Sequence, residues 1–413
     1  MFQLIVISIL LFDAVFWWWA DRRLRVLRWG IGWRLALAAF MAVQLGQFAW
    51  MFASRWTGIH LVLPPSFLAL LYVWHLMVLP IFIVLLTAGG IAGGVAGLAR
   101  RILRARRTAL QPIPVPVPAS RQGPTRRQVL LAGVAAVPPL FTGGTVAMAM
   151  GRLDHFRVRP IELALPDLPP ALDGLRIAHI ADVHTGRFTS PLLLESIVER
   201  TNELDVDLVL MTGDLIDYSL VELPRALDMV RQLRAGGGLF MCEGNHDLFD
   251  NRLEFERQVL DSGVPLLLDD QRTLSIRGQA VQVLGIRWGG LGDRHDAQIP
   301  LHVRKTLELR DPDAFQILLA HHPHAFDLAA DAGVPLTLAG HTHGGQVMLT
   351  PDLGPGPLLY KYWSGPYRRG NSALVVSNGV GNWFPVRVNA PAEIIHITLR
   401  CSAPAERLGR MTG

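Results

Sequence analysis

The sequence predicts an α/β domain preceded by an all-α transmembrane region, and three observations support this division. Long apolar runs, each about the length of a membrane-spanning helix, occupy the first 150 of the 413 residues. Short apolar runs alternating with amphipathic helical patterns follow, as in layered α/β domains. The charge changes at the same place, because residues 1–150 carry a net charge of +12 and residues 151–413 carry −7.

Residues 1–99 are expected to form about three transmembrane helices. Apolar runs at 2–20 and 35–54 are long enough to span a bilayer, and the first ends in three tryptophans, as at a membrane interface. A third span is expected near 66–88, followed by a glycine-rich extension. Asp13 lies within the first span, where an ordinary packing role is favoured, because the other spans offer no evident ionisable partner at that depth.

Residues 100–127 form a basic, proline-rich segment, and an apolar run follows at 128–150. The segment is interpreted as a cytoplasmic linker. The run is interpreted either as a fourth transmembrane helix or as a signal resembling the twin-arginine type, since "TRRQVLLAG" joins two arginines to an apolar stretch. The arginine-rich loops 21–34 and 100–127 are predicted to be cytoplasmic, which places residues 151–413 outside the inner (plasma) membrane in either case.

The charge distribution argues against a nucleic-acid partner, and the cysteine content does not indicate a redox compartment. The arginines of the first region lie between apolar runs, as membrane flanks do, and not along an exposed face with interleaved aromatics. No nucleic-acid partner is therefore expected. Cys242 and Cys401 form no CxxC motif or disulfide framework, and they leave the redox compartment open.

Residues 151–413 are expected to form the α/β domain. An amphipathic helix is predicted over 191–204 with Ser190 as its cap, and a second helix near 222–235. Buried strands are predicted at 175–182, 206–214, 237–245, 281–287, 315–321, 334–341, 373–379 and 393–399.

Polar side chains that can bind a metal follow five of these strands. In an open α/β sheet the loops at the carboxyl ends of strands line the active-site crevice, so the five endings predict one site. Carboxylate, imidazole and amide groups without thiolates favour Mn, Fe, Zn or a similar divalent metal, and they exceed what one tetrahedral zinc needs. Two ions sharing a carboxylate would use them, as in phosphoryl displacement. The candidates are Asp182, His184, Asp214, Asn245, His246, Asp247, His321, His322, His341 and His343.

Five short blocks in this domain resemble the signature motifs of the calcineurin-like metallophosphoesterases. They are "ADVH", "GDLID", "GNHD", "LLAH" and "GHTHGGQ", in this order, and the resemblance covers roughly 175–400. It implies a four-layer α/β/β/α sandwich and hydrolysis of phosphoesters. The segment 359–394 is further similar to the bacterial membrane-anchored branch, which includes broad phosphodiesterases and enzymes similar to UDP-2,3-diacylglucosamine pyrophosphatases.

The resemblance also implies a role for each motif residue. Asp214 would bridge two divalent metal ions, and a hydroxide between the ions would attack phosphorus in line. His246 would face the substrate, Asp247 would orient it, and Asp217 would lie behind the ligands. The remaining ligands would divide into two sets: Asp182, His184 and His343 for one ion, and Asn245, His321 and His341 for the other.

Several neighbouring residues stay open to more than one interpretation. The run "HHPH" offers His322 and His324 beside His321, and the position at the strand end favours His321. Arg368 and Arg387 are candidate phosphate contacts, although a solvated surface arginine is the commoner reading of each. His295 is interpreted as a surface-loop residue.

The predicted function is hydrolysis of phosphoesters, of the phosphodiester or pyrophosphate type, by a membrane-anchored enzyme. A lipid-linked substrate is attractive because an anchor would hold the site near headgroups. Two alternatives are a cytoplasm-facing enzyme similar to UDP-2,3-diacylglucosamine pyrophosphatases, which needs the opposite orientation, and a non-enzymatic metal-binding sensor or scaffold. Every motif position is filled, which favours an enzyme. The sequence does not indicate an oligomeric state.

Overall fold

The chain divides into two compact units, residues 1–150 and residues 151–413. A computed structural model describes residues 2–25, 27, 30–57, 63–105, 124–289, 295–350 and 352–402. Most of the predicted linker lies outside the described residues. One helix reaches Ala105 on its amino side, and the next begins at Arg126.

The described part of the first unit is helical. Three helical stretches, Gly30–Trp50, Pro65–Arg101 and Arg126–Met150, are long and apolar enough to cross a membrane. A helix, Phe2–Leu24, covers the first predicted span. That this helix crosses a membrane stays a prediction. The elements are α1 (Phe2–Leu24), α2 (Gly30–Thr57), α3 (Pro65–Tyr72), a π-helical segment (Val73–Val78), α4 (Leu79–Ala105) and α5 (Arg126–Met150).

Asp13 of α1 has an ionisable partner, so the expectation that the other spans offer none at its depth was wrong. Its Oδ2 atom lies 3.0 Å from Nε2 of His75, and its Oδ1 atom accepts a hydrogen bond of 2.8 Å from Nε1 of Trp74. His75 belongs to the predicted third span. Its depth relative to Asp13 depends on the π-helical turn and on helix packing, which apolar periodicity does not show.

The second unit contains two sheets flanked by helices. The first sheet has the strand order β1-β11-β2-β3-β4, and the second has the order β5-β6-β7-β8-β10-β9. The strands are β1 (Arg157–Leu165), β2 (Arg176–Ile180), β3 (Leu208–Thr212), β4 (Leu239–Cys242), β5 (Asp270–Ile276), β6 (Gln279–Gly285), β7 (Phe315–Leu319), β8 (Leu336–Ala339), β9 (Gly365–Arg369), β10 (Ser372–Val376) and β11 (Glu393–Cys401). The helices are α6 (Pro191–Glu203), α7 (Leu223–Gln232), α8 (Arg252–Asp261), α9 (His295–Leu307), α10 (Ala325–Asp331) and α11 (Pro355–Leu359).

The two sheets pack face to face between two layers of helices. Residues of both sheets, such as Ile177 and Ile317, meet in one apolar core. Leu193 of α6 lies in the core on the outer face of the first sheet, and Val303 of α9 lies in the core on the outer face of the second. This arrangement confirms the four-layer α/β/β/α sandwich.

Each predicted strand is present, and each strand that the sequence analysis missed lies at a sheet edge. The missed strands are β1, β5 and β9. Along β5 and β9 most side chains are exposed or half-buried, so no buried apolar run marks them. His295 begins α9, so its interpretation as a loop residue was wrong.

One smaller expectation is confirmed. The hydroxyl of Ser190 accepts a hydrogen bond from the backbone N–H of Leu193 and so caps α6. Cys242 is buried in the core between the sheets, where it has no access to solvent. Burial raises the pKa of its thiol well above the ordinary value, which argues against a nucleophilic role.

Candidate metal centre

The candidate site lies at the carboxyl ends of five strands drawn from both sheets. β2, β3 and β4 run parallel in the first sheet, and β7 and β8 run parallel in the second. Their last residues are Ile180, Thr212, Cys242, Leu319 and Ala339. The predicted ligands follow within a few residues of these ends, and the structure brings all seven of them together.

The first group of donor atoms comes from Asp182, His184 and His343. The Nε2 atoms of the two histidines lie 3.0 Å apart, and Oδ1 of Asp182 lies 3.3 Å from Nε2 of His343 and 3.9 Å from Nε2 of His184. All three side chains are buried. One potential metal-ligand atom of each of the three residues therefore faces the same small space.

The second group comes from Asn245, His321 and His341. The amide oxygen Oδ1 of Asn245 lies 3.2 Å from Nε2 of His321 and 3.0 Å from Nδ1 of His341. The ring of His321 has a fixed orientation, because its other nitrogen, Nδ1, lies 2.7 Å from the backbone oxygen of Thr212. A carbonyl oxygen can only accept, so Nδ1 carries a hydrogen and Nε2 is the nitrogen that faces Asn245 and Asp214.

Asp214 lies between the two groups. Its Oδ2 atom is 3.6 Å from Nε2 of His184 and 3.1 Å from Nε2 of His321. Its Oδ1 atom accepts a hydrogen bond from the backbone N–H of His246. One oxygen thus faces donors of both groups, which is the placement a bridging carboxylate needs.

The donor set fits divalent metal ions. Ligand atoms about 2.1 Å from one ion lie about 3.0–3.4 Å from one another, close to the spacing in both groups. Burial holds the pKa of His184, His341 and His343 well below the usual range, so each of these rings is neutral and keeps one nitrogen lone pair. Burial also raises the pKa of Asp182 to about 7, so a nearby cation would stabilise its ionised form.

The backbone is strained where these ligands project. Most of the predicted ligands adopt positive φ angles, a region that L-residues other than asparagine and aspartate rarely enter. Such strain persists where the surrounding structure imposes it, and it concentrates at functional sites. The angles are 53° at Asp182, 46° at His184, 54° at Asp214, 71° at His341 and 49° at His343.

Two glycines give the ligands room. A Cβ atom at Gly340 would lie 2.4 Å from Oδ2 of Asp182, and one at Gly244 would lie 2.2 Å from Oδ1 of Asp214. Both distances are below any ordinary contact. The glycines that precede the ligand motifs are therefore required by close packing of side chains against the chain.

Asp217, and not Asp247, orients His246. The Nδ1 atom of His246 lies 2.6 Å from the backbone oxygen of Asp217 and 3.5 Å from its Oδ1 atom. The carboxylate of Asp247 instead accepts hydrogen bonds from the backbone N–H groups of Asp214, Leu215, Ile216 and Gly244. The prediction that Asp247 orients His246 was wrong. The hydrogen bonds that this carboxylate accepts connect the loop after β3 to the loop after β4 instead.

The contacts of His246 favour the protonated form of its imidazole. Burial alone would lower the pKa of His246, but the Asp214 carboxylate and the contacts with Asp217 together raise it to about 9. Because Nδ1 faces a carbonyl oxygen, Nε2 is the atom that gains or loses the second proton.

Arg387 contacts the ring nitrogen of His343 that does not face the other ligands of the first group. Its guanidinium donates to the backbone oxygens of Asn378 and Gly381 and to Oδ1 of Asn382, and Nη2 lies 3.0 Å from Nδ1 of His343. It is therefore a half-buried loop anchor, and neither the phosphate-contact nor the surface reading describes it. Arg368 is exposed and donates to the backbone oxygen of Ala164, which fits the surface reading.

Aromatic rings that the sequence analysis did not select surround the donor groups. Trp288 lies 5.3 Å from the ring of His321 and 5.0 Å from that of His341, between centroids. Trp383 lies 6.3 Å from His246 and 6.2 Å from His343. No motif marks either tryptophan, and only the folded loops bring them to the site.

His322 packs beside the second group. Its ring centroid is 4.9 Å from that of His341, while its Nδ1 atom accepts a hydrogen bond from the backbone N–H of His324. His321 rather than His322 has a ring nitrogen facing Asp214 and Asn245.

Comparison with known proteins places the second unit in a family. Residues 175–345 match the family model of the calcineurin-like phosphoesterases. A zebrafish (Danio rerio) protein named "Transmembrane protein with metallophosphoesterase domain" is 28% identical over 377 residues, which cover 89% of this chain and 80% of the relative. The Bacillus subtilis metallophosphoesterase YkuE is 28% identical, and the match covers 67% of this chain and 98% of that protein.

A third relative carries a named activity. The phosphodiesterase YaeI of Escherichia coli is 27% identical over 233 residues, which cover 54% of this chain and 82% of that protein. The chain therefore contains a calcineurin-like metallophosphoesterase domain. Enzymes of this class hydrolyse phosphoric esters.

Proposed function

We propose that this chain is a membrane-anchored hydrolase of phosphodiester or pyrophosphate bonds that uses two divalent metal ions. The position of Asp214 carries the proposal, because its Oδ2 atom lies within 3.6 Å of His184 and 3.1 Å of His321, one histidine from each donor group. Asp182, His184 and His343 would hold one ion, Asn245, His321 and His341 the other, and Asp214 both. When bound, two such ions activate water and neutralise phosphoryl oxygens.

His246 supplies a proton in this scheme. Its Nδ1 atom is held by the backbone oxygen of Asp217, so Nε2 is free to donate to the oxygen that leaves phosphorus. Asp217 acts as a positioning residue, since its carboxylate also lies 3.8 Å from Nδ1 of His184. Asp247 stabilises the two loops that carry Asp214 and Asn245.

Exposed apolar side chains between residues 349 and 359 support a lipid-linked substrate. Leu349, Leu353, Leu358 and Leu359 have exposures of 73%, 56%, 81% and 69%. They follow the ligand His343 closely in the chain, and apolar surface of this kind is common where a protein meets an apolar ligand. The name of the relative YaeI favours the phosphodiester class.

The orientation of the chain is part of the proposal. The arginine-rich loops support an inner-membrane protein with several spans and with residues 151–413 on the outer side. Reporter fusions at the carboxyl terminus test it. An active periplasmic reporter with a silent cytoplasmic one is expected, whereas the opposite pair would favour the cytoplasm-facing pyrophosphatase.

Hydrolysis of two model substrates tests the activity. The full chain in detergent would be assayed with bis-p-nitrophenyl phosphate and p-nitrophenyl phosphate, with Mn²⁺ or with a chelator, beside Asp214→Asn. We expect turnover that depends on the metal, is faster with the diester and disappears in Asp214→Asn. Turnover that survives both the chelator and Asp214→Asn would contradict the metal mechanism. Metal binding without turnover of either compound would point to a narrow substrate or to a scaffold, and lipid-linked phosphodiesters would be assayed next.

A further inference from the structure

The first unit contains a pair of ionisable side chains that is separate from the metal centre. Asp13 of α1 and His75 of the π-helical segment have exposures of 1% and 6%, and Oδ2 and Nε2 lie 3.0 Å apart. Ionisable groups inside an apolar helical bundle are costly to bury, and those that occur there usually have a function. A π-helical turn, which is rare in itself, is also frequent at functional sites.

The contacts of this pair determine how many protons it holds. Nδ1 of His75 lies 3.0 Å from the backbone oxygen of Leu71. A carbonyl oxygen only accepts, so Nδ1 carries a hydrogen. Nε2 then faces Oδ2 of Asp13, and two bare acceptor atoms would repel each other at 3.0 Å. One further proton must therefore lie between Nε2 and Oδ2, whichever atom it is bound to.

The second carboxylate oxygen is already engaged. Oδ1 of Asp13 accepts the indole N–H of Trp74 at 2.8 Å. With the shared proton present, Asp13 and His75 together carry no net charge. Loss of that proton would leave one negative charge buried in the bundle beside the Trp74 N–H, which is costly.

Polar atoms on α2 lie close to this pair. Gln44 and Gln47 are buried, and Oε1 of Gln44 and both amide atoms of Gln47 have no hydrogen-bond partner. Nε2 of Gln44 lies 3.5 Å from the backbone oxygen of Leu70, and the neighbouring Phe48 ring lies 5.5 Å from that of His75, between centroids. The two buried glutamines therefore leave polar atoms without partners beside the segment that leads to His75.

Asp21, the next ionisable residue of α1 after Asp13, is paired with other residues. Asp21 forms ion pairs with Arg25 and Arg34, and it lies eight residues from Asp13, about 12 Å along α1. The other buried polar groups that the helices contribute, Thr142 and Thr145 of α5 and the two glutamines, do not titrate. The proton balance therefore depends on Asp13 and His75.

We propose that Asp13 and His75 form a proton-binding site in the helical unit. The pair holds one proton between Nε2 and Oδ2, and this shared proton joins α1 to the π-helical segment without leaving a buried net charge. This inference does not depend on the phosphoesterase activity.

Nitrogen NMR of the full chain in phosphatidylcholine nanodiscs tests the site. The protein would carry ¹⁵N-histidine, and the resonances missing in His75→Gln identify His75 among the 14 histidines. Asp13→Asn is the informative variant, because an amide can accept from Trp74 and donate to Nε2 without an exchangeable acidic proton. Asp21→Asn is the matched control on the same helix.

The expected result at neutral pH is an Nε2 signal of His75 that shows the shared proton in the wild type and in Asp21→Asn. In Asp13→Asn the Nε2 signal should be that of an unprotonated nitrogen that accepts a hydrogen bond from the amide. An Nε2 signal that is the same in the wild type and in Asp13→Asn at every pH would overturn the proposal.

A second measurement tests the proposal without the Asp13→Asn variant, in case that variant does not fold. Infrared spectra at neutral pH, with ¹³C-labelled aspartate, should show a carboxyl band in the wild type that is absent or shifted in His75→Gln. An identical band in both proteins would contradict a shared proton. Elution as a single species from a sizing column identifies the variants that have folded.

Discussion

Nδ1 of His246 lies 2.6 Å from the backbone oxygen of Asp217, and this contact fixes which ring nitrogen can exchange a proton with a substrate. The ring is not part of either donor group in the proposed scheme. Removing it should therefore remove proton donation and leave metal binding intact.

His246→Ala is expected to lower kcat by about 10²–10⁴-fold, the usual contribution of a general acid. Metal content, measured by plasma emission spectroscopy after dialysis, should equal that of the wild type. Loss of metal from His246→Ala would show that the ring is a ligand after all.

Asp214→Asn should behave in the opposite way. The carboxylate is the group that faces both donor sets, whereas an amide has only one acceptor oxygen and no negative charge to balance the two cations. We expect turnover to be lost and the affinity for both metal ions to fall, as measured by titration calorimetry with Mn²⁺. Retention of two tightly bound ions would refute the bridging role.

Asp247→Asn tests the corrected role of Asp247. The carboxylate accepts four backbone N–H groups, and an amide cannot accept all four without turning its own NH₂ group toward a donor. The free energy of unfolding in urea should fall by about 1–3 kcal/mol for the unpaired buried groups. The pH profile of any remaining activity should keep the shape of the wild-type profile, whereas a shifted acidic or basic limb would restore Asp247 as the partner of His246.

The positions of the ligands could be predicted from the sequence, but the contacts behind them could not. Asp182, Asp214 and His341 follow buried apolar strands, which periodicity reveals. Asp217 and Asp247 are both acidic residues near His246 in the motifs. Only the path of the loop after β3 decides which of them reaches the ring, and no local pattern encodes that path.

The elements that escaped prediction have a common physical cause. β1, β5 and β9 are edge strands. Their side chains contact solvent as well as neighbouring residues, so their sequences show only a weak apolar pattern. The contact between Asp13 and His75 joins α1 to a π-helical turn 62 residues away, and a helical pattern in one segment does not show what another segment brings to it.

Gly340→Ala should damage the site through contact alone. The added Cβ would lie 2.4 Å from Oδ2 of Asp182, so either the carboxylate or the loop must move. We expect a loss of about 1–3 kcal/mol of stability from overpacking, together with weaker metal binding by calorimetry. Gly236→Ala is the matched control, since its Cβ would meet nothing within 4 Å. Equal effects of the two substitutions would show that the close approach at Gly340 has no role.

Asp269 provides a stability test away from the metal ligands. Its carboxylate lies 2.8 Å from Nδ1 of His302 and 3.3 Å from Nζ of Lys305, and it accepts the backbone N–H of Arg287. Burial opposes ionisation, but these contacts lower the pKa of Asp269 below its ordinary value. A carboxyl group with a lowered folded-state pKa stabilises the protein above its unfolded pKa of about 3.9, and this contribution disappears as the pH falls through the folded value.

Asp269→Asn should therefore cost about 1–2 kcal/mol at neutral pH, after allowance for solvent screening. The difference from the wild type should shrink as the pH falls below about 4, because the wild-type carboxyl group is then protonated and loses its charge-assisted hydrogen bonds. Urea unfolding of both proteins at a series of pH values, with a chelator present to remove the contribution of bound metal, measures this difference. A difference that stays constant down to about pH 2 would show that the contacts act through packing and not through the charge of Asp269.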